Sequence, residues 1–198
     1  MFSHDFNQIA IGHDNKKSSD KFFGGGFAAE DAVRGLQTSE AEAAYACGLR
    51  ELEEESGIVE NQLSLYMQIG EKTLSSVSNR DKSGECILLS RYTFFAVANK
   101  GVELPAHTKG ELEMGDRRFA PIVNILRAGR LPRNHRDKFN PYHAQMLAET
   151  LLVVRTMASD GDPAFDQFLL QLHALKQIGF DINWYMSMID EELRQRRI

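Results

Sequence analysis

The chain carries one stretch of dense charge, Arg50-Glu51-Leu52-Glu53-Glu54-Glu55-Ser56-Gly57-Ile58, in which carboxylates outnumber the one guanidinium. Like charges three and four residues apart oppose helix formation, so such a cluster is either a solvated face or a set of ligands for a cation. With Glu51 at zero on a helical wheel, Glu54 falls at about 300° and Glu55 at about 40°. Glu53 falls at about 200° on the same wheel. Three carboxylates therefore share one face of the predicted helix, and Glu53 faces elsewhere.

The two ends of this helix are marked by local chemistry. Ser39-Glu40-Ala41-Glu42 is a capping box, so the helix is predicted to begin at Ser39, and Gly57 is predicted to end it. Glu42 lies nine residues before Glu51, which is about 180° away around the helix axis. Glu42 is therefore predicted to be a capping residue and not a member of the acidic face.

The same helix has an apolar side and one glycine in its interior. Tyr45, Leu49 and Leu52 fall between about 100° and 160° on the wheel, which predicts a narrow edge that docks on the core. Gly48 weakens a helix by about 1 kcal/mol relative to alanine. Its presence indicates that a neighbouring backbone packs closely against the helix at that point.

The rest of the chain alternates between patterns typical of strands and of helices. Strands are predicted at 6–12, 63–69, Cys86–Ala98 and 118–122, with a polar loop at 75–84 and an acidic loop at 110–116. Helices are predicted at 123–128, 142–157 and 163–177, with a further one starting at Asp181. Gly24-Gly25-Gly26 predicts either positive φ angles or close approach to the backbone, or simply a flexible turn.

Composition bounds the class of protein. The chain has 198 residues, 42% of them hydrophobic and 26% charged, which is typical of one globular domain or one domain with an appendage. A net charge of -5 argues against a nucleic-acid partner. No apolar run approaches the roughly 20 residues of a membrane span, and no signal peptide is recognisable, so a cytoplasmic protein without a membrane partner is expected. Cys47 and Cys86 have no metal-type spacing and predict no disulfide framework.

Arg50 to Ile58 resembles, position for position, the second half of the Nudix box, G-x5-E-x7-R-E-U-x-E-E-x-G-U with U aliphatic. Upstream, Phe22-Phe23-Gly24-Gly25-Gly26-Phe27 resembles the aromatic-x-x-Pro-Gly-Gly segment that leads into the box, with Phe23 where proline is usual. The box glycine is expected at position 36, which is Leu36, if Glu42 is the box's first glutamate. If Gly24 is the box glycine, Glu30 is its partner, and 19 residues separate Glu30 from Arg50 where the box has seven.

The resemblance implies an α+β fold, a Nudix-like α/β/α sandwich with a mixed sheet. It places a Nudix core at 1–140 and a helical C-terminal extension at 141–198, packed on that core or on a partner in a possible homodimer through Trp184, Tyr185, Met186 and Met188. Members of this family hydrolyse a pyrophosphate linkage in a nucleoside diphosphate joined to another group. They use a divalent metal, usually Mg²⁺, with Mn²⁺ as the other candidate. A small-molecule nucleoside diphosphate derivative is the implied partner, with a nucleotide-sugar or an ADP-ribose-like molecule favoured. The alternative is a catalytically silent Nudix-fold module that binds nucleotides.

The resemblance also implies roles for individual residues. Glu51, Glu54 and Glu55, with the backbone of Gly25, correspond to the metal ligands, and Arg50 corresponds to the arginine that orients them. Glu51 and Glu54 are also candidate catalytic groups.

Later segments supply further candidates. The general base is sought in a later loop, where Glu111 and Glu113 are the candidates and solvated loop acids are the alternative. Phosphate could be held by Arg80, Arg117 or Arg118, which are otherwise surface residues. A base could stack on Phe22, Tyr92 or Tyr142, which are otherwise core residues.

Overall fold

The computed structural model describes residues 1–16, 19–25, 39–80, 86–106, 114–131, 139, 141–159 and 165–183, with the backbone alone at 72–80, 86–90, 141–142 and 159. The strands are β1 (Gln8–Asp14), β2 (Ser19–Lys21), β3 (Leu63–Arg80), β4 (Cys86–Ala98) and β5 (Met114–Pro121). The helices are α1 (Glu40–Ser56), α2 (Ile122–Gly129), α3 (Pro141–Ser159) and α4 (Asp166–Gln177), and a short 3-10 turn occupies Glu60–Gln62.

The strands form antiparallel pairings that a single N-terminal residue connects. β1 pairs with β2 and β5 in the order β2-β1-β5, and β3 pairs with β4. Phe2 forms an antiparallel bridge to Ile9 of β1 and a parallel bridge to Val97 of β4. Its N–H donates to the Ala96 carbonyl at 2.7 Å, and its carbonyl accepts from the Ala98 N–H at 2.9 Å. The fold is therefore α+β, with helices packed on antiparallel strands.

The core is built around phenylalanine rings drawn from distant parts of the chain. Phe6 stacks on Phe95 with ring centroids 6.2 Å apart, and Phe168 of α4 meets Phe6 edge-on at 5.7 Å. Leu151 and Val154 of α3 are fully buried in the same hydrophobic cluster. Helices α3 and α4 thus pack on the strands, and they share one core with them.

Local sequence signals located most of the elements but not β2, which lies where a polar loop was predicted, and pairing decided the strand lengths. The strand predicted at Cys86–Ala98 is confirmed. The predicted strand 63–69 was too short, because β3 continues to Arg80 through its pairing with β4, so the first part of the predicted polar loop 75–84 is strand. Backbone pairing extends a strand whatever the polarity of its side chains.

The remaining boundaries moved by a few residues. The strand predicted at 6–12 begins at Gln8 and ends at Asp14, and the one predicted at 118–122 spans Met114–Pro121. The helix predicted at 123–128 is α2, which starts at Ile122, and the helix predicted at 142–157 is α3, extended to Pro141–Ser159. The helix predicted at 163–177 is α4, which spans Asp166–Gln177.

The C-terminal predictions concern Asp181 and the segment 184–188, and the described residues end at 183. The Asp181 carboxylate accepts from the Asn183 N–H at 2.9 Å, as expected of a residue that caps a helix. The residues suggested as dimer contacts lie outside the described part of the chain, at 184–188. No helix among the described residues is long and apolar enough to cross a bilayer.

One pair of identical substitutions tests whether the C-terminal helices share the core. Leu151 is 1% exposed and Leu170 on α4 is 62% exposed. We expect Leu151→Ala to lower the free energy of unfolding by about 2–5 kcal/mol, because it leaves a cavity in the shared core. Leu170→Ala should change it by less than about 1 kcal/mol. Urea unfolding followed by circular dichroism measures both. A small effect of Leu151→Ala, or a separate second transition, would contradict a shared core.

Candidate functional site

Helix α1 begins and ends where its capping chemistry predicts. The Ser39 N–H donates to the Glu42 carboxylate at 2.8 Å, which closes the predicted capping box. Gly57 adopts a left-handed φ of 76°, and its N–H donates to the Glu53 carbonyl at 2.8 Å. Glu42 is exposed and engaged in capping, which confirms that it does not belong to the acidic face.

The buried side of α1 differs from the predicted apolar edge. Leu52 is buried as expected, but Tyr45 and Leu49 are only half-buried. The buried residues of the helix are Ala44, Cys47, Leu52, Glu55 and Ser56. The helix therefore turns part of its acidic face inward, and the Glu55 side chain is only 8% exposed. The predicted apolar edge of Tyr45, Leu49 and Leu52 is therefore confirmed only at Leu52.

The Glu55 carboxylate is held by the glycine turn and by a lysine. One oxygen accepts from the Gly24 N–H at 2.7 Å, and the other lies 3.2 Å from the Lys21 ammonium. The same ammonium lies 3.8 Å from the buried Asp14 carboxylate. These contacts tie the C-terminal end of α1 to the segment that follows β2.

The glycine turn also lies against Glu51. A Cβ atom on Gly25 would fall 2.2 Å from a Glu51 carboxylate oxygen, so any larger residue there would displace the Glu51 carboxylate. Gly24 has a φ of 149°, a value that side chains disfavour. On its other side the turn is anchored by helix α3, because the Phe22 N–H donates to His143 Nδ1 at 3.0 Å. The predicted close approach at the triple glycine is thus found at Gly25.

Arg50 joins the two remaining carboxylates. One guanidinium nitrogen lies 2.9 Å from Glu51 and another lies 2.9 Å from Glu54. Glu51 is 14% exposed and Glu54 is 38% exposed, and Glu53, which the wheel placed away from both, is exposed. The Arg50 side chain is itself only 11% exposed, and it holds the two carboxylates on either side of its guanidinium group.

Burial raises the pKa of Glu55 above its ordinary value. The hydrogen bond from Gly24 and the charge of Lys21 act in the opposite direction, and nearby Glu51 adds to the increase. Desolvation prevails over these partners. The free energy of Glu55 ionisation is therefore less favourable in the folded chain than in water.

The arginines suggested for phosphate binding are engaged elsewhere. Arg117 Nε donates to the Glu55 backbone carbonyl at 2.7 Å, which satisfies an acceptor at the C-terminal end of α1. Arg118 pairs with Asp20 and Asp116. The side chain of Arg80 is outside the described part of the structure. Arg117 thus connects the C-terminal end of α1 to β5.

The candidates for the general base and for base stacking are either outside the described residues or already in contact with other residues. Glu111 and Glu113, the proposed general bases, lie outside the described residues. Among the candidate stacking residues, Phe22 is buried against Phe139 with ring centroids 5.2 Å apart, and the Tyr92 hydroxyl donates to Glu40 at 2.6 Å. Tyr142 is described by its backbone alone.

The donor chemistry of this region suits a hard divalent cation. Carboxylate oxygens on α1 and the backbone of a side-chain-free turn at Gly25 are ligands of the kind that magnesium prefers. Within the part of the chain that the structure describes, no three His, Cys, Asp or Glu side chains are gathered closely enough to hold a metal ion. Instead, Arg50 forms ion pairs with Glu51 and Glu54, and Lys21 forms one with Glu55.

A cavity of about 580 Å³ adjoins the acidic helix and the glycine turn. Glu51 and Gly25 border it at one side, and aromatic residues of β3 and β4 border it elsewhere. Gly48 faces the Tyr66 hydroxyl and the Phe94 ring. The neighbour expected at Gly48 was backbone, and the structure places aromatic side chains there instead. Lys21 and Tyr66 were not among the sequence candidates, because neither belongs to a motif.

Comparison with protein-family models finds no match, and a search of curated proteins finds no match either.

The pH dependence of stability tests the burial of Glu55. Because its pKa is raised in the fold, the folded chain keeps this proton at pH values where the unfolded chain has lost it. Its contribution to stability is therefore fully present below the ordinary pKa of 4.5 and is lost as the pH rises through the folded value. We expect Glu55→Gln to gain stability relative to the wild type between about pH 4 and pH 7.

Thermal melting across this pH range provides the measurement. Glu53→Gln is the matched control, because it removes an exposed carboxylate from the same helical turn. A wild-type chain that gains stability over Glu55→Gln as the pH rises would show that the ion pair with Lys21 prevails over burial.

Proposed function

We propose that the chain is a metal-dependent pyrophosphohydrolase of the Nudix type, built on a Nudix-like α/β/α sandwich. Its substrate is a nucleoside diphosphate joined to another group. One observation carries the proposal. Helix α1, which carries most of the Arg50 to Ile58 sequence, contacts the glycine turn. Glu51 lies against Gly25, and the Glu55 carboxylate accepts a hydrogen bond from the Gly24 N–H. Two segments that resemble parts of one box in sequence are thus adjacent in space.

The chain's own residues have distinct tasks in this reaction. Arg50 fixes the orientation of Glu51 and Glu54 through paired contacts of 2.9 Å. Glu55 and Arg117 hold the end of the helix against the turn. This preorganisation matters because oxygen ligands for magnesium must be placed with near-octahedral geometry.

Glu51, Glu54, Glu55 and the Gly25 backbone are the groups that would hold the divalent cation. When bound, such a cation neutralises diphosphate charge and lowers the pKa of water. Water attacks phosphorus, the bridging P–O bond breaks, and the two products each carry a phosphate. Glu51 borders the cavity, which supports it as the group that would take the proton of that water, with Glu111 and Glu113 as the loop candidates for the same role.

The alternative is a silent Nudix-fold module that binds nucleotides without turnover. One observation favours it: Arg50 and Lys21 already form ion pairs with all three candidate metal ligands. In an enzyme, these cations must share the carboxylates with the metal. In a binding module, they replace it.

Hydrolysis assays separate the two functions. Purified protein is incubated with Mg²⁺ and a panel of nucleotide-sugars, ADP-ribose and dinucleotides, and release of nucleoside monophosphate or phosphate is measured. We expect release that stops in the presence of a chelator. Glu51→Gln and Glu54→Gln should each lower kcat/KM at least about 100-fold, since each removes a charged group at the reacting diphosphate.

Glu53→Gln is the matched control on the same helix and should retain activity close to that of the wild type, because Glu53 faces solvent. Ligand-induced increases in melting temperature without any turnover, unchanged in the Glu51 and Glu54 variants, would instead support the binding module.

A further inference from the structure

The glycine turn beside the acidic helix is held by two different helices. From α1, the Glu55 carboxylate accepts from the Gly24 N–H at 2.7 Å. From α3, His143 Nδ1 accepts from the Phe22 N–H at 3.0 Å. The two donors are two residues apart in the chain. The start of the turn is therefore fixed between helices that are far apart in the sequence.

Helix α3 gives this second hydrogen bond a firm base. His143 lies in the first turn of α3, and the nearby residues Ala144 and Leu147 are 0% and 1% exposed in the hydrophobic core. The imidazole packs against the rings of Phe22 and Phe139, with centroids 5.5 Å and 6.3 Å away. The position of the imidazole is thus set by the packing of α3 in the core.

The hydrogen bond from Phe22 is possible for only one protonation state of His143. A backbone N–H always donates, so Nδ1 must be the acceptor, and the imidazole is neutral with its proton on Nε2. In a protonated histidine both ring nitrogens are donors, and Nδ1–H would face the Phe22 N–H. Phe22 is buried, so its N–H is costly to leave without an acceptor. Protonation of His143 therefore removes the hydrogen bond between α3 and the turn.

The charged groups on α3 do not place a carboxylate beside this imidazole. The first turn of α3 contains no acidic residue. Glu149, further along the helix, lies 3.4 Å from the Arg91 side chain. The first turn of α3 thus offers no carboxylate that would hold a protonated His143 in place.

The charged groups on the strand side of Phe22 form ion pairs with one another. Lys21 lies 3.2 Å from Glu55, and His13 Nδ1 lies 3.0 Å from an Asp20 oxygen. Because Asp20 is two positions before Phe22, His13 is a second histidine whose protonation bears on the start of the turn. A pH dependence at Phe22 must therefore be assigned to one histidine or the other by substitution.

We propose that His143 is a positioning residue, which holds the glycine turn against the acidic helix while its imidazole is neutral and releases the turn when it is protonated. The consequence for metal binding rests on the proposed function, in which the Gly25 backbone is a ligand. The hydrogen bond itself belongs to the fold, so it is measurable whether or not the chain hydrolyses a diphosphate.

NMR without metal tests the protonation state and its link to the turn. In the presence of a chelator, labelled protein is taken from about pH 8 to about pH 5, the range in which histidine side chains change charge. We expect the His143 ring to carry its proton on Nε2 at the higher pH, and the Phe22 amide signal to change in step with protonation of that ring. A proton on Nδ1 at the higher pH, or a Phe22 signal that does not follow the ring, would overturn the proposal.

Two histidine variants assign the pH dependence. His143→Asn keeps an acceptor oxygen near the place of Nδ1 but does not titrate, so the pH-dependent change at Phe22 should disappear. His13→Asn is the matched control on β1 and should retain the change, because it leaves the acceptor on α3 in place. A change that persists in His143→Asn, or that disappears in His13→Asn, would assign the effect to His13 and overturn the proposal.

Amide hydrogen exchange at constant pH tests the hold on the turn. His143→Leu keeps an apolar side chain beside the Phe22 ring but offers no acceptor. At about pH 8 we expect the Phe22 and Gly24 amides to exchange at least about fivefold faster than in the wild type, and His143→Asn to restore the wild-type rates. Rates are taken relative to Ala98, a hydrogen-bonded amide of β4, so that a general loss of stability cancels. Equal relative rates in His143→Leu and the wild type would overturn the proposal.

Magnesium binding separates this inference from the proposed function. In calorimetric titrations at about pH 8, His143→Leu should bind Mg²⁺ at least about threefold more weakly than the wild type, and His143→Asn should bind as the wild type does. Faster exchange at Phe22 in His143→Leu, without Mg²⁺ binding by any variant, would overturn the metal-dependent function and leave the hold on the turn standing. Mg²⁺ binding and hydrolysis with a turn that is insensitive to His143 would overturn the positioning role alone.

Discussion

The buried carboxylate of Glu55 is the contact on which the arrangement of the site depends. It joins α1 to the glycine turn through the Gly24 N–H, and its backbone carbonyl is fixed by Arg117 of β5. Three separate segments therefore converge on one residue. Because burial raises the Glu55 pKa, this arrangement is held against a desolvation penalty. Carboxylates with perturbed pKa values cluster at functional sites, which is consistent with the ligand-binding role proposed for Glu55.

The charges around Glu55 form two linked groups. Arg50 forms ion pairs with Glu51 and Glu54. Lys21 forms ion pairs with the more deeply buried Glu55 and Asp14. Each cation lowers the repulsion that would otherwise oppose a helix so rich in glutamate. The ion pairs to Arg50 and Lys21 thus fix the orientation of the carboxylates on the acidic helix.

What the sequence could predict was local, and what it could not predict was long-range. The ends of α1 followed from the capping box at Ser39 and from Gly57, since caps depend on neighbouring residues. The outward direction of Glu53 followed from helical geometry. The burial of Glu55 did not, because it depends on Lys21 and Gly24, which lie more than thirty positions away. A wheel shows which residues share a face and not what packs on that face.

The same limit applies to the strands and to the cavity. β3 exceeded its predicted length because its pairing with β4 adds hydrogen bonds that no local pattern records. Gly48 correctly signalled a close neighbour, but sequence alone could not tell backbone from the Tyr66 hydroxyl.

The central claim is that the edge between α1 and the glycine turn binds a divalent cation. Titration of isotopically labelled protein with Mn²⁺, followed by NMR, tests it directly, since a paramagnetic ion broadens the signals of nearby amides. The account predicts early loss of the Gly24, Gly25 and Glu51 amide signals, with the signal of Gly101, in the turn after β4, retained. Broadening that spares the glycine turn, or that appears first at exposed acids elsewhere, would contradict the account.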